Sequence, residues 1–386
     1  MLKIIKNAKV FSPKYIGQCD LLFDKEILYI DNHIDLSNFL DIEIYDAKEL
    51  YLIPGLIDPH VHIVGGGGEG GFVTRTPELK ISDCIKNGIT TVIGCLGTDG
   101  ITRSLEDLYA KAKAMEFEGL NTFIYTGSYR IPPITFTGSI MKDLILIDKV
   151  IGVGELAISD HRSSQPTFEE LLRIVADTRV GGMLSGKPGI VNFHIGDGER
   201  GIDYLFDIVD KTEIPISHLY PTHMNRNKKL FESGLEFAKK GGVIDLTALQ
   251  PGEFSERSKG NFTTVDCILE AFENGLLDSI TISSDGQGSL PRFDEKGNFT
   301  GLSVGSVGAI LYTLRKVVEK GVPIEEAIKV ATVNQARIFN LNKGCISQGY
   351  DADFVLIDFE SWSIRSVVSK GQFLLKDEVM KSFTFE

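Results

Sequence analysis

Over the first fifty residues, apolar positions come in short alternating runs broken by turn residues. LKIIKNAKVF (2–11), CDLLFDKEILYI (19–30) and IEIYDAKELYLI (42–53) read as strands, with little helical periodicity between them. The end of the chain has the same texture in DADFVLIDFE (351–360), WSIRSVVSKG (362–371) and QFLLKDEVM (372–380). The long middle differs. There, β-branched runs alternate with amphipathic stretches such as SLEDLYAKAKAMEFEG (104–119), FEELLRIVADTR (168–179) and NKKLFESGLEFAKKG (227–241). The runs are LIPGLIDPHVHIV, ITTVIGCLG, NTFIYTGSY, VIGVGELAISD, GIVNFHIGD, IPISHLYPTHM, GGVIDLTAL and DSITISSDG. Strand–helix alternation of this length predicts an α/β chain folded as a parallel (β/α)8 TIM barrel. The β segments at the two ends form one further small domain if the ends meet.

Composition narrows the class. A length of 386 residues suits a barrel plus something smaller, and 42% hydrophobic with 24% charged residues is ordinary for a large packed core. The net charge of -13 repels phosphate backbones, so no nucleic-acid partner is expected. No stretch approaches the roughly 18 apolar residues of a membrane span. The opening MLKIIKNAKVFSPKY lacks a signal-peptide layout, so the expected location is cytoplasmic. Cys19, Cys84, Cys95, Cys267 and Cys345 are odd in number and far apart, and fit neither a disulfide framework nor a CxxC site. They read as small core or surface thiols in a reducing compartment.

Barrel enzymes collect their chemistry at the C-terminal tips of the strands. Of seven histidines, five lie at or near such tips. His60 and His62 form His-x-His on the first run, and residues two apart on a strand share a face, so both imidazoles can hold one metal. His194 ends the fifth run, His223 the sixth and Asp285 the eighth. Singly, each is also an ordinary polar strand end or a hydrogen-bonded histidine. Together they make a ligand set, with Asp285 also able to take a proton. Two metals need a bridging group, and Glu155 in the fourth run offers one. A glutamate in so apolar a run costs several kcal/mol unless paired. Two cations would neutralise it; the plainer alternative is an ion pair with Arg162.

With these residues in place, the chain resembles the amidohydrolase superfamily and, within it, the isoaspartyl dipeptidase family. HVHIVGGGGEGG, TRTPE, GCLGTDG, YTGSY, AISDHRS, SGKPGIVNFHIGD, PTHMNRN, EFAKKGG and SSDGQGS are all similar to blocks of that family. HxH and the strand-eight aspartate belong to the whole superfamily, whereas GGGGE, SDHR and THMNRN are far more specific. The terminal segments, with Gly349-Tyr350-Asp351-Ala352-Asp353, resemble the superfamily's composite β-sandwich. The implied division is 1–53 and 343–386 for the β-sandwich domain and 54–342 for the barrel. There is one departure: many members bridge their metals with a carbamylated lysine at the tip of strand four, where this chain has Glu155. Two carboxylate oxygens can serve two cations.

The resemblance implies two divalent metal ions per subunit. Zinc is the expected ion, although imidazole and carboxylate donors also suit cobalt, manganese or iron. It further implies hydrolysis of the isopeptide (β-aspartyl) bond of isoaspartyl dipeptides by a hydroxide bridging the metals. Tyr129 would donate to the developing oxyanion, and Asp285 would carry the proton to the leaving amine. Glu69, after glycines 65–68, would hold the substrate's α-ammonium; Arg162, Arg226 and Ser289 would hold carboxylates; Thr98, in GCLGTDG, would join them. Each of these has a bland counterpart: a solvated loop acid, surface arginines, a wall tyrosine, ordinary turn chemistry at the serine. The glycine run lacks the GxxxxGK[ST] spacing of a phosphate loop. The family also suggests a homo-oligomer. Competing readings are another amidohydrolase reaction (cyclic amide hydrolase, deacetylase or deaminase) or a non-catalytic barrel scaffold.

Overall fold

The computed structural model describes residues 1–37, 41–251, 262–293 and 299–386. Six strands pair in parallel in chain order: Leu56–Val61, Ile89–Gly94, Asn121–Thr126, Val150–Ile158, Ile190–Ile195 and Leu219–Thr222. Ile244–Thr247 pairs in parallel with Ile280–Ser283. Backbone bonds complete the ring. Met224 N donates to Asp245 O at 3.1 Å, joining the sixth strand to the seventh, and His62 N donates to Gly286 O at 2.9 Å, joining the eighth to the first. Each β-branched run of the middle segment supplies one of these strands, and the fold is a TIM barrel. The strands are buried on both faces, so they read as continuous apolar runs and not as alternation. Ile93, Tyr125, Ile151, Tyr220 and Phe339 fill the interior. The outer faces pack against helices such as Leu105–Glu118, which opens at Ser104 with its side chain accepting from Asp107 N, and Phe168–Ser185, which opens with a Thr167/Glu170 capping box.

The two ends of the chain share one nine-stranded sheet. Tyr51–Pro54 pairs antiparallel with Phe354–Asp358 and parallel with Leu2–Phe11, so it is the seam between them. The sheet folds over itself. Phe23 on Tyr15–Phe23 meets Phe354 edge-on with ring centroids 5.0 Å apart, and Tyr45 Oη lies 3.0 Å from Ser366 Oγ, so strands distant in the pairing order face each other across an apolar core. That is a sandwich, with Ile5, Leu21, Leu52 and Leu356 inside it.

A buried ion pair within this unit is tied to the barrel through Asn121. Lys343 Nζ bonds Asp353 and lies 2.5 Å from Asp351; Asp353 also accepts from Asn121 Nδ2 at 3.0 Å and from Lys370 N at 2.7 Å. Burial works against the charge on Lys343, but the two carboxylates outweigh it and raise its pKa. Removing one partner of a buried pair strands the other. Lys343→Ala should therefore cost about 3 kcal/mol in a urea melt; an unchanged midpoint would reject a structural role for the pair.

One element went unforeseen in the sequence. After the eighth strand, Ser289–Phe293 and Phe299–Val304 form an antiparallel hairpin over the barrel mouth. Among the described residues, no helix is long and apolar enough to cross a membrane.

Candidate active site

The strand tips converge. His60 and His62 are 0% and 5% exposed, and Glu155 is 1% exposed. The Glu155 carboxylate sits among four imidazoles. Its Oε2 is 3.3 Å from His60 Nε2, 3.0 Å from His194 Nδ1 and 3.8 Å from His223 Nε2; its Oε1 is 3.5 Å from His62 Nε2. Asp285 Oδ1 lies 3.1 Å from His62 Nε2 and 3.8 Å from His60 Nε2. The structure thus brings together all six residues that the sequence reading named as ligands. Five of the six fall, with Cys95 added, into two donor groups, His60/His62/Cys95/Glu155 and Glu155/His194/His223, each spanning no more than 4.8 Å, with Glu155 common to both; Asp285 stands beside the first through His62.

Two observations test whether a cation fits. The side-chain Oδ1 of Asn192 lies 3.1 Å from His60 Nδ1 and accepts its N–H, while His60 Nε2, fully buried, has no hydrogen-bond partner. A buried ring nitrogen without a partner is costly; burial opposes a charge on His60, but Cys95 and Glu155 raise its pKa to about 10, and a bound cation would take the place of that proton. The acids are also in their ligating form. Burial opposes ionisation of Glu155, but the imidazoles of His60 and His194 override it and hold the carboxyl well below the usual range. Burial likewise opposes ionisation of Asp285, yet its bond to His62 brings it to about 2. Burial and the neighbouring His194 lower His223 to about 3, which leaves its imidazole neutral and able to ligate.

The plain alternative for Glu155, a pair with Arg162, is not what forms. Asp160 takes that guanidinium, with Oδ1 2.9 Å from Nε and Oδ2 2.7 Å from Nη2. Lys149, the nearest upstream lysine, is held by Glu116 at 2.5 Å where the fourth strand begins, far along it from Glu155. Gly97 sits where a side chain cannot. A Cβ there would lie 2.9 Å from His62 Cε1 and 3.4 Å from Glu155 Oε1.

The remaining candidates line a cavity of about 470 Å³ above the donors. Tyr129 Oη is buried, 2.8 Å from His194 Nδ1. Arg226 Nη2 is 3.0 Å from His194 Nε2, and its Nε donates to Ile195 O at 2.6 Å. Glu69 Oε1 accepts from Thr98 Oγ1 at 3.0 Å and lies 3.5 Å from Arg162 Nη1. Ser289 opens the hairpin on the cavity wall. The glycine loop that carries Glu69 is pinned by Arg103, buried, whose guanidinium donates to the carbonyls of Val64, Gly66 (3.2 Å) and Thr76 (2.8 Å). Gly65, at φ +79°, turns the chain so that these carbonyls face it.

Sequence reading missed several members. Cys95, taken for a core or surface thiol, has its Sγ 3.8 Å from His62 Nδ1. Asp160 grips Arg162, and Asn192 orients His60. A signal existed for two of them: Asn192 precedes His194 by two on one strand face, and Asp160 sits in the SDHR block.

The family model described as "Amidohydrolase family" matches residues 51–381. A crystal structure of β-aspartyl dipeptidase from the thermophilic, keratin-degrading Fervidobacterium islandicum AW-1, in complex with β-Asp-Leu dipeptide, is 70% identical, covers 100% of this chain and 99% of that one, and superposes with a TM-score of 0.95. A second structure of that organism's β-aspartyl dipeptidase is 67% identical over 100% of both chains, TM-score 0.93. The adenine deaminase of Desulfitobacterium hafniense is 25% identical over 393 aligned residues, covering 96% of this chain but only 57% of the deaminase, so the chain spans little more than half of that curated relative. Matched from before His60 to well beyond Asp285, the chain belongs to the amidohydrolase family.

Proposed function

We propose that this protein is a metal-dependent dipeptidase that hydrolyses the isopeptide (β-aspartyl) bond of isoaspartyl dipeptides. The observation that carries this reading is the charge pattern over the donor cluster. One carboxylate, Glu69, faces the guanidinium of Arg162, with Arg226 beside His194, in a chain 70% identical to a β-aspartyl dipeptidase. A dipeptide zwitterion carries one ammonium and carboxylates, which complement that set.

His60, His62 and Asp285 would hold one divalent cation and His194 and His223 a second, with Glu155 between them; zinc suits the donors. Bound there, such ions make water a nucleophile near neutral pH and polarise a carbonyl. The chain's own groups do the rest. Before substrate enters, Glu69 and Arg162 neutralise each other at 3.5 Å. The substrate replaces that pair, its α-ammonium going to Glu69 and its carboxylates to Arg162, Arg226 and the Ser289 hydroxyl. Thr98 holds the Glu69 carboxylate in place by its 3.0 Å bond, and Asp160 holds the Arg162 fork. Tyr129 is kept protonated by burial and donates its Oη–H to the oxygen of the side-chain amide as charge builds there. Asp285 accepts the proton of the attacking water and delivers it to the departing amine nitrogen. We also place the protein in the cytoplasm: its five cysteines are all unpaired, which suits a reducing compartment.

The test is a substrate panel read by released amino acids. β-Asp-Leu should yield free aspartate and leucine, with α-Asp-Leu, adenine and a cyclic ureide left intact. Stripping the protein with dipicolinate should abolish the reaction, and added zinc or cobalt should restore it. Turnover of the ureide or of adenine without action on β-Asp-Leu would overturn the assignment.

A further inference from the structure

We infer that Cys95 is a sulfur ligand of the metal centre, completing a donor set with His60, His62 and Glu155. The inference rests on the metal-binding half of the proposed function and not on its choice of substrate.

Cys95 follows the second barrel strand, Ile89–Gly94, and its backbone is fixed against the His-x-His segment: Cys95 N donates to Val61 O at 3.1 Å. Residues two apart on a strand share a face, so Cys95 points inward with Ile93. It is fully buried, and its donor atom lies within 4.8 Å of those of His60, His62 and Glu155. A second feature points to the same spot independently. His60 Nε2, buried and without a hydrogen bond, is aimed at Glu155 and Asp285 from 3.3 and 3.8 Å. The thiol has no better use for its proton. It donates to Val61 O at 3.7 Å and lies 3.8 Å from His62 Nδ1, ordinary separations for a thiol and weak bonds that a metal can replace. An inert core cysteine meets only apolar groups, whereas this one packs on the apolar interior and also meets metal-binding side chains.

Ligation exchanges the S–H bond for a sulfur–metal bond. The proton leaves to solvent, and no electron changes hands. A thiolate is a soft donor and adds a negative charge. It therefore biases the centre toward zinc or cobalt(II) and against magnesium or manganese.

The experiment uses the full chain, stripped by chelation and refilled. With cobalt(II), the wild type should show a sulfur-to-cobalt charge-transfer absorption in the near ultraviolet. Cys95→Ser and Cys95→Ala should lack it, while Cys345→Ser, a change remote from the donors, should keep it. By chelator competition, Cys95→Ser should bind zinc at least about tenfold more weakly, the scale on which even an outer-sphere partner acts, with an unchanged melting curve for the metal-free protein. X-ray absorption on the zinc-loaded wild type needs no variant and should contain a zinc–sulfur shell. Absence of that shell, absence of the charge-transfer band, or wild-type zinc affinity in a folded Cys95→Ser protein overturns the inference. Hydrolysis of β-Asp-Leu without sulfur ligation defeats the cysteine alone; sulfur ligation without that hydrolysis defeats the substrate assignment alone.

Discussion

Glu155→Gln should lower the metal content after equilibration with a chelator from about two ions per chain to one or none, and cut β-Asp-Leu turnover by at least about a hundredfold. Glutamine matches glutamate in shape, so the fourth strand keeps its packing. It does not match it in charge or in donors. The carboxylate lies within 3.0–3.8 Å of nitrogens on four histidines, and it alone belongs to both donor groups. An amide offers one oxygen and turns an NH2 group toward cations or toward imidazole lone pairs. No nearby lysine can step in, since Lys149 is bound to Glu116. Atomic emission on chelator-equilibrated protein, with steady-state kinetics beside it, decides the matter. A variant that retained about two tightly bound ions would mean that another group does the bridging.

The same residue shows what a sequence reveals and what it withholds. Glu155 stood out because an acid inside VIGVGELAI has no local explanation, so the mismatch itself was the signal. His60 and His62 were legible for a related reason: the period of a strand puts them on one face without knowledge of the fold. The barrel followed from the alternation of fully buried runs with amphipathic helices. Cys95 was different. A cysteine in ITTVIGCLG is what any buried strand contains, and only the register that bonds Cys95 N to Val61 O brings it to His62. Asp160 was flagged only by its place in the SDHR block, and its grip on Arg162 and His194 stayed hidden because that meeting depends on the turn after the fourth strand. The pairing of Ser289–Phe293 with Phe299–Val304 was hidden by Pro291, which speaks against a strand and is tolerated where only one neighbour pairs. Arg103 reads as a loop arginine until the glycine loop's carbonyls are seen to surround it.

Asp285→Asn should keep the fold and most of the metal yet lower kcat by about 10²–10⁴, the usual contribution of a positioned acid–base group. Asp285 stands just past the eighth strand, Ile280–Ser283, with φ at +50°. Asparagine accepts that left-handed conformation as readily as aspartate does, so the substitution adds no backbone strain. The amide oxygen can still face His62 and still ligate, whereas no atom of the amide can take a proton from water at neutral pH. KM for β-Asp-Leu should move little, because Glu69, Arg162 and Arg226 are untouched, and the loss should fall on kcat. This split separates Asp285 from Glu155, whose replacement should remove metal and rate together. Near-normal turnover would strip Asp285 of its proton-transfer role. Loss of metal in parallel with rate would instead make it a ligand first, and the proton would then have to travel through another group at the mouth.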